Sequence, residues 1–468
     1  MSSLRTNGSS RTSTEPTALL QKSLRARHVE MIAIGGIIGA GLFVGSSASI
    51  AAVGPAVIVS YLLAGLIVLL VMRMLTEMAV AIPGVQTFPD FARLGLGDWA
   101  GFMSGWLYWY FWVVVVAIEA IAGAAIIHLW LPMFDVWQIG IVLVAVLTGV
   151  NLLSTRSYGE FEFWFSSLKV AAILAFIVIA ASYAFGLTSP SGPTFANLTI
   201  HDGFMPYGFL AVLAGVPSVI FALTGAEIAT IAAAESSESE KTIARMSLTV
   251  AARIMIFYVL SIALIVSVVP WPVVVAGTSP FATALSTMEV PGAATIMNII
   301  VLVAVLSCLN SGLNVTSRVL FGLAARGEAP KNLVTLNRRQ VPARAIVVGS
   351  LFSYAALAAS VLSPQVVFSF LVNASGATML VIYLLIAFAQ LRLRDRLQRD
   401  APEQLTVKMW FHPWGAWLAI SGMIGVLAAM AFSPARAAEL AASLIVIFGV
   451  GISFVLHRTA SRRERPSE

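Results

Sequence analysis

A single cysteine, Cys308, stands in 468 residues, so no disulfide can form within the chain. Charge is scarce as well. Lys, Arg, Asp and Glu make up 11% of the residues, against about 25% in a soluble domain. Most of the surface is therefore unsuited to water. The sequence has no phosphate-binding glycine loop, no hydrolase elbow and no cluster of metal ligands. An enzyme, a metal and a cofactor thus find no support in the residues. There is no soluble basic region with interleaved aromatics, which speaks against a nucleic-acid partner. The polar–apolar alternation of a membrane barrel is missing too.

What fills the chain is apolar. Hydrophobic residues reach 59%, and the mean hydropathy is +0.91. The apolar runs are each near the ~20 residues a helix needs to cross a bilayer, and helices satisfy their own backbone in lipid. About twelve spans are expected, at 31–53, 56–82, 100–131, 137–153 and 161–185, then, after a polar loop at 186–206, at 207–234, 251–269, 293–323, 343–362, 366–391, 413–432 and 437–457. The polar start, rich in Ser and Thr, reads as a disordered cytoplasmic tail. No apolar region with a cleavage site follows it.

Net charge is +6. Placing the N-terminus inside puts Arg25, Arg27, Arg93, Arg156, Lys241, Arg245, Arg326, Lys331 and the Arg392–Arg399 cluster on the inner side. Only Arg436 falls outside. That split supports an even number of spans with both termini cytoplasmic.

Two spans look broken. The first contains Gly35, Gly36, Gly39 and Gly41 within seven residues, each costing roughly 1 kcal/mol in a continuous helix. The sixth reads Phe221-Ala222-Leu223-Thr224-Gly225-Ala226-Glu227. Glycines in membrane helices also serve close packing. Here the interruptions occupy matching places in two five-span units, which points to a transport site. An unwound first span would present N–H groups around Gly36, Ile38, Gly39, Ala40 and Gly41 to an anion such as a carboxylate. An unwound sixth span would present carbonyls of Phe221, Ala222 and Leu223 near Gly225, suited to an ammonium. One site would grip both ends of a small amino acid.

Ionisable residues inside spans are costly and are functional candidates. Lys169 in the fifth span and Glu227 beside the sixth-span break are the candidates for carrying a proton. Lys169 could instead snorkel to the inner surface. Tyr108, Glu119, Ser307, Asn310 and Ser311 are candidates for a pocket or gate, with helix packing as the alternative. Arg73 and Glu77, one turn apart, are expected to form a local ion pair.

The residues also carry a resemblance. Gly35–Ser46 resembles the first-span signature of the amino acid–polyamine–organocation superfamily. Glu160–Val170, Ala222–Glu235 and Cys308–Gly327 resemble the bacterial amino acid permease family within it. Gly105–Ile121, Phe368–Leu391 and Met409–Trp417 look like the 4-aminobutyrate permeases of that family. The resemblance implies an all-α membrane fold of LeuT type, with five plus five inverted spans and two appended. The corresponding segments are a tail at 1–27, a core at 28–391 with repeats at about 28–186 and 204–391, appended spans at 392–457, and a tail at 458–468. It further implies proton-driven import of a small amino acid, 4-aminobutyrate foremost, with proline or aromatic amino acids as alternatives and a non-transporting sensor as the remote one. Lys169 matches a span-five lysine thought to replace sodium in proton-coupled relatives, and Glu227 the family's span-six glutamate. The oligomeric state is not legible.

Overall fold

The computed structural model describes residues 38–82, 84–85, 87–153, 158–225, 227, 252–337 and 341–463. Among the described residues every regular element is a helix, as the apolar composition demands in lipid. Seven helices are long and apolar enough to cross a membrane, and four shorter apolar ones fall where spans four, six, seven and nine are expected. One of the seven, Gly41–Ala81, takes in two expected spans.

The first of these, α1, is a π-helical turn at Gly41–Gly45 that runs on as Ser46–Val53. It stops at Gly54, whose φ of 73° favours glycine. A side chain there would also strike Pro206. Helix α2 is Val57–Ala81. A short helix that the hydropathy pattern does not reveal, α3 at Phe88–Leu96, precedes α4 at Asp98–His128. Then come α5 at Val136–Leu153 and α6 at Tyr158–Ala184. The sixth span, α7, is Gly208–Ala214 with Val216–Leu223. The seventh, α8, is a π-helical segment Ile254–Leu260 continued by Ser261–Val268. An outlying short helix, α9, is Pro280–Thr287, capped by the Ser279 hydroxyl. The rest are α10 at Ala293–Ala325, α11 at Ala343–Ala359, α12 at Pro364–Asp400, α13 at Trp414–Phe432 and α14 at Ala437–Arg463.

Helix α4 is the axis of the bundle. It packs on α10, α3, α12, α5 and α11, and Leu107, Val114, Val116 and Ile118 along it are fully buried. By contrast Val142, Val146 and Val150 of α5 form an exposed stripe at helical spacing, as a lipid-facing surface should. Helix α12 runs nine residues past the expected inner end of span ten. Leu393 and Arg394 stay buried there, so packing carries the helix beyond the apolar run.

The expected Arg73–Glu77 pair does not form. Arg73 donates through Nε and Nη2 to the Lys408 carbonyl, at 2.9 and 2.7 Å. Glu77 is ion-paired with Arg394 and accepts from Gln390 Nε2 at 2.7 Å. Tertiary partners with better geometry displace the neighbour one turn away. Arg93 of α3 bridges Asp98 and Glu328, and Arg326 joins Asp90 and Glu328. This ties the α3 segment to the end of α10. The Arg93 guanidinium is held above its ordinary value by Glu328, against the cost of burial.

Candidate functional site

The described part of the first span begins at Ile38 and Gly39, which are not helical, and helix starts at Ala40. Its leading N–H groups lack partners within the helix. The Ala40 N–H donates instead to the Glu119 carboxylate, at 3.1 Å to Oε1 and 3.3 Å to Oε2. Gly36 lies outside the described residues, and so does the rest of this span before Ile38.

The glycines face different neighbours. A Cβ on Gly39 would lie 2.8 Å from Cys308 Sγ and 2.9 Å from Glu119 Oε1. A Cβ on Gly41 would lie 2.7 Å from the Ala222 Cα. Gly39 thus abuts side chains of α10 and α4, while Gly41 lets the backbones of spans one and six touch. The Phe221 ring lies against the same face of the π turn, its Cε1 3.4 Å from where a Gly41 Cβ would be and 3.6 Å from a Gly45 Cβ.

The sixth span breaks where the residues suggest. Helix ends at Leu223, Thr224 is extended with ψ 147°, and Gly225 has φ 110°. The Thr224 N–H still donates back to Ile220, so Ala222 and Leu223 end the helix as last-turn carbonyls. Glu227 folds back on this break. Its Oε2 accepts from the Gly225 N–H at 2.9 Å. Tyr108 and Tyr383 place their hydroxyls 3.4 and 3.5 Å from the same carboxylate. Glu227 therefore joins spans three, six and ten, and is fully buried.

Lys169 does not snorkel. It is fully buried, and its Nζ lies 3.4 Å from Ser307 Oγ on α10. Glu119 lies within electrostatic reach of Lys169 and also contacts Cys308. Gly35 and Gly36 lie outside the described residues. A buried ammonium needs polar company, because an isolated charge in this environment is strongly penalised.

The polar stripe on α10 divides. Ser307 faces Lys169. Asn310 accepts from Asn151 of α5 at 2.8 Å, and Ser311 turns to its own helix, donating to the Ser307 carbonyl at 2.9 Å. The Asn310 contact is helix packing rather than a pocket. Residue-by-residue reading overlooked Cys308, Tyr383 and Asn151. The only trace of Cys308 in the sequence is its position beside Ser307. The lone tyrosine of the tenth span, which also carries Asn373, Ser375 and Thr378, is the trace of Tyr383.

The outcome is two half-helices that meet at Gly41 and Ala222, one opening with N–H groups and the other closing with carbonyls. A buried lysine and two buried carboxylates surround them. The profile of the amino acid permease family matches residues 28–468. The chain belongs to that family. The permease is 46% identical over 447 residues to the gamma-aminobutyric acid permease of Bacillus subtilis, covering 95% of each chain. It is 43% identical to the protein of the same name from Escherichia coli, covering 91% of this chain and 92% of that one. It is 38% identical to an aromatic amino acid transport protein of Corynebacterium glutamicum, over 96% and 98% of the two chains. Among solved structures, a manganese transporter mutant from Eremococcus coleocola superposes with a TM-score of 0.54 at 14% identity, covering 93% of this permease and 94% of that chain. At that identity the likeness speaks for the fold alone, an all-α transporter fold of LeuT type, and the permease is a multi-pass membrane protein.

Proposed function

We propose that this permease imports 4-aminobutyrate together with a proton across the cytoplasmic membrane by alternating access. The observation that carries the reading is Lys169, buried beside Ser307 and Glu119 at the point where the outer half of the first span begins. A lysine there sets an ionisable group deep in the bundle, where such groups mark proton and substrate pathways. The substrate carboxylate would take the N–H groups at Gly39 to Gly41. Its ammonium would take the carbonyls of Phe221 to Leu223. The choice of 4-aminobutyrate is supported by two relatives above 40% identity that carry its name. The relative named for aromatic amino acids stands at lower identity.

The same reading gives twelve spans with both termini cytoplasmic, on the distribution of Lys and Arg. It keeps the core at residues 28–391 and the appended spans at 392–457. The decisive experiment is uptake of labelled 4-aminobutyrate into proteoliposomes with and without an inward proton gradient, with proline and phenylalanine as competitors. Accumulation should require the gradient and should resist both competitors. Lys169→Ala should keep exchange but lose accumulation. Lys169→Arg should fail likewise, since arginine stays charged. Accumulation by Lys169→Ala under a gradient would move the proton role to Glu227.

A further inference from the structure

Spans two and eleven, with the loop before span eleven, flank an apolar groove. Its volume is about 790 Å³, and Leu66, Leu70, Trp410, Phe411, Trp414 and Trp417 line it. Phe411 and Trp414 are 87% and 76% exposed, so none of the described residues covers them.

One end of the groove is charged. The Arg73 guanidinium lies 5.1 Å from the Trp410 ring centroid. Its two hydrogen bonds to the Lys408 carbonyl use donors without neutralising its charge. Glu77 is closed in by Arg394, Gln390 and the Met409 N–H. Lys408 itself is exposed. His412 adds no charge at neutral pH, since burial first and Arg394 second hold it below its usual range. Arg73, Arg394 and Lys408 thus stand against Glu77 and Asp395, which leaves this end positive.

We propose that the groove is a binding site for an anionic phospholipid of the inner leaflet. An acyl chain lies along the tryptophan wall, and the phosphate meets Arg73 and Lys408. The proposal rests on the inward placement of the loop between spans ten and eleven. Three features favour a lipid as occupant. The groove joins an apolar trough to a cationic end, which is the complement of an amphiphile carrying both parts. Basic pockets between helices at the cytoplasmic face suit acidic headgroups. The walls are preorganised, because the 408–410 segment is fastened to span two through Arg73 and Glu77, and a preformed site loses less entropy on binding. A second copy of the chain would need about 800 Å² of complementary surface per partner, far more than a trough between two helices offers.

The test uses the full chain in mild detergent, with phosphatidylglycerol and phosphatidylcholine of matched acyl chains as probes. Native mass spectrometry counts retained lipid, and thermal unfolding reads its effect. One phosphatidylglycerol should persist per chain and raise the unfolding temperature, with phosphatidylcholine held about tenfold more weakly or worse. Arg73 is tied into the fold, so the variants are made at exposed positions. Lys408→Glu should abolish the preference for the anionic lipid. Trp414→Ala should weaken both lipids about tenfold or more. Equal retention of the two lipids by the wild type overturns the proposal, as does unchanged retention in both variants. A dimer that Trp414→Ala converts to monomer also overturns it, by making a second copy the occupant.

Discussion

Alanine at Gly39 and alanine at Gly41 should damage the permease in different ways, although the two glycines sit in one motif. At Gly41 the new Cβ would stand 2.7 Å from the Ala222 Cα and 3.2 Å from its Cβ. Carbon atoms rest at about 3.5–4.0 Å, so the first and sixth spans must part by about 1 Å. Neither obstacle can rotate away. Overpacking of this kind costs about 1–3 kcal/mol. Ala222→Gly removes only the farther atom and should not rescue the variant. At Gly39 the Cβ meets Cys308 Sγ at 2.8 Å and Glu119 Oε1 at 2.9 Å. Those two are ends of side chains and can turn aside, whereas the Cys308 Cβ at 3.0 Å is fixed to α10, so the helices must give there by a few tenths of an ångström. What is disturbed is the hydrogen bond that Glu119 accepts from Ala40. Gly39→Ala should therefore lose less stability than Gly41→Ala in thermal unfolding yet lose apparent substrate affinity. Cys308→Ala should return part of that loss, and the pair should show a coupling of about 0.5–3 kcal/mol, as contacting residues do. The assays are unfolding in detergent and uptake of labelled 4-aminobutyrate into proteoliposomes. If the two alanine variants behave alike, or if Ala222→Gly restores Gly41→Ala, then the backbone contact does not govern this junction.

Three further outcomes follow from the packing. Gly376→Ala would set a Cβ 1.9 Å from the Pro217 carbonyl oxygen, so spans six and ten cannot both keep their places. The yield of monodisperse protein should fall below that of Gly41→Ala, and a well-folded Gly376→Ala would contradict the observed contact. Glu77→Ala strips the buried Arg394 of its partner and should destabilise the chain by about 3–5 kcal/mol. A detergent-unfolding midpoint close to wild type would count against that pairing. His412 is held below its ordinary value of 6.5 by burial, so the unfolded chain takes up a proton first as pH falls. The stability this leaves in place above about pH 6.5 is lost progressively below it. Unfolding temperatures compared at pH 7.5 and 5.5 should show this drop, and His412→Gln should shrink it; an equal drop in the variant would assign the effect to another group.

The break in the sixth span was legible because glycine beside a carboxylate inside an apolar run is costly unless it serves a purpose. Lys169 was legible for the same reason. Arg73 and Glu77 misled, since spacing on one helix says nothing of better partners elsewhere. Glu77 takes Arg394, 317 positions away, and Arg73 takes a carbonyl 335 positions away. The stripe on α10 misled in part, because Ser307 and Asn310 are near neighbours on one helix yet face different elements.

The residues alone determined that this chain is an all-helical membrane protein and where the sixth-span helix gives way. Lipid imposes those features locally, by requiring long apolar runs and a backbone that satisfies itself. Only the tertiary structure decided who meets whom. Glu119 reaches the Ala40 amide across 79 positions, and Tyr108 and Tyr383 converge on Glu227 from separate helices. Those meetings depend on how each helix is rotated and how closely its small residues let it approach. That is a property of the packed bundle, which no single span carries in its own sequence.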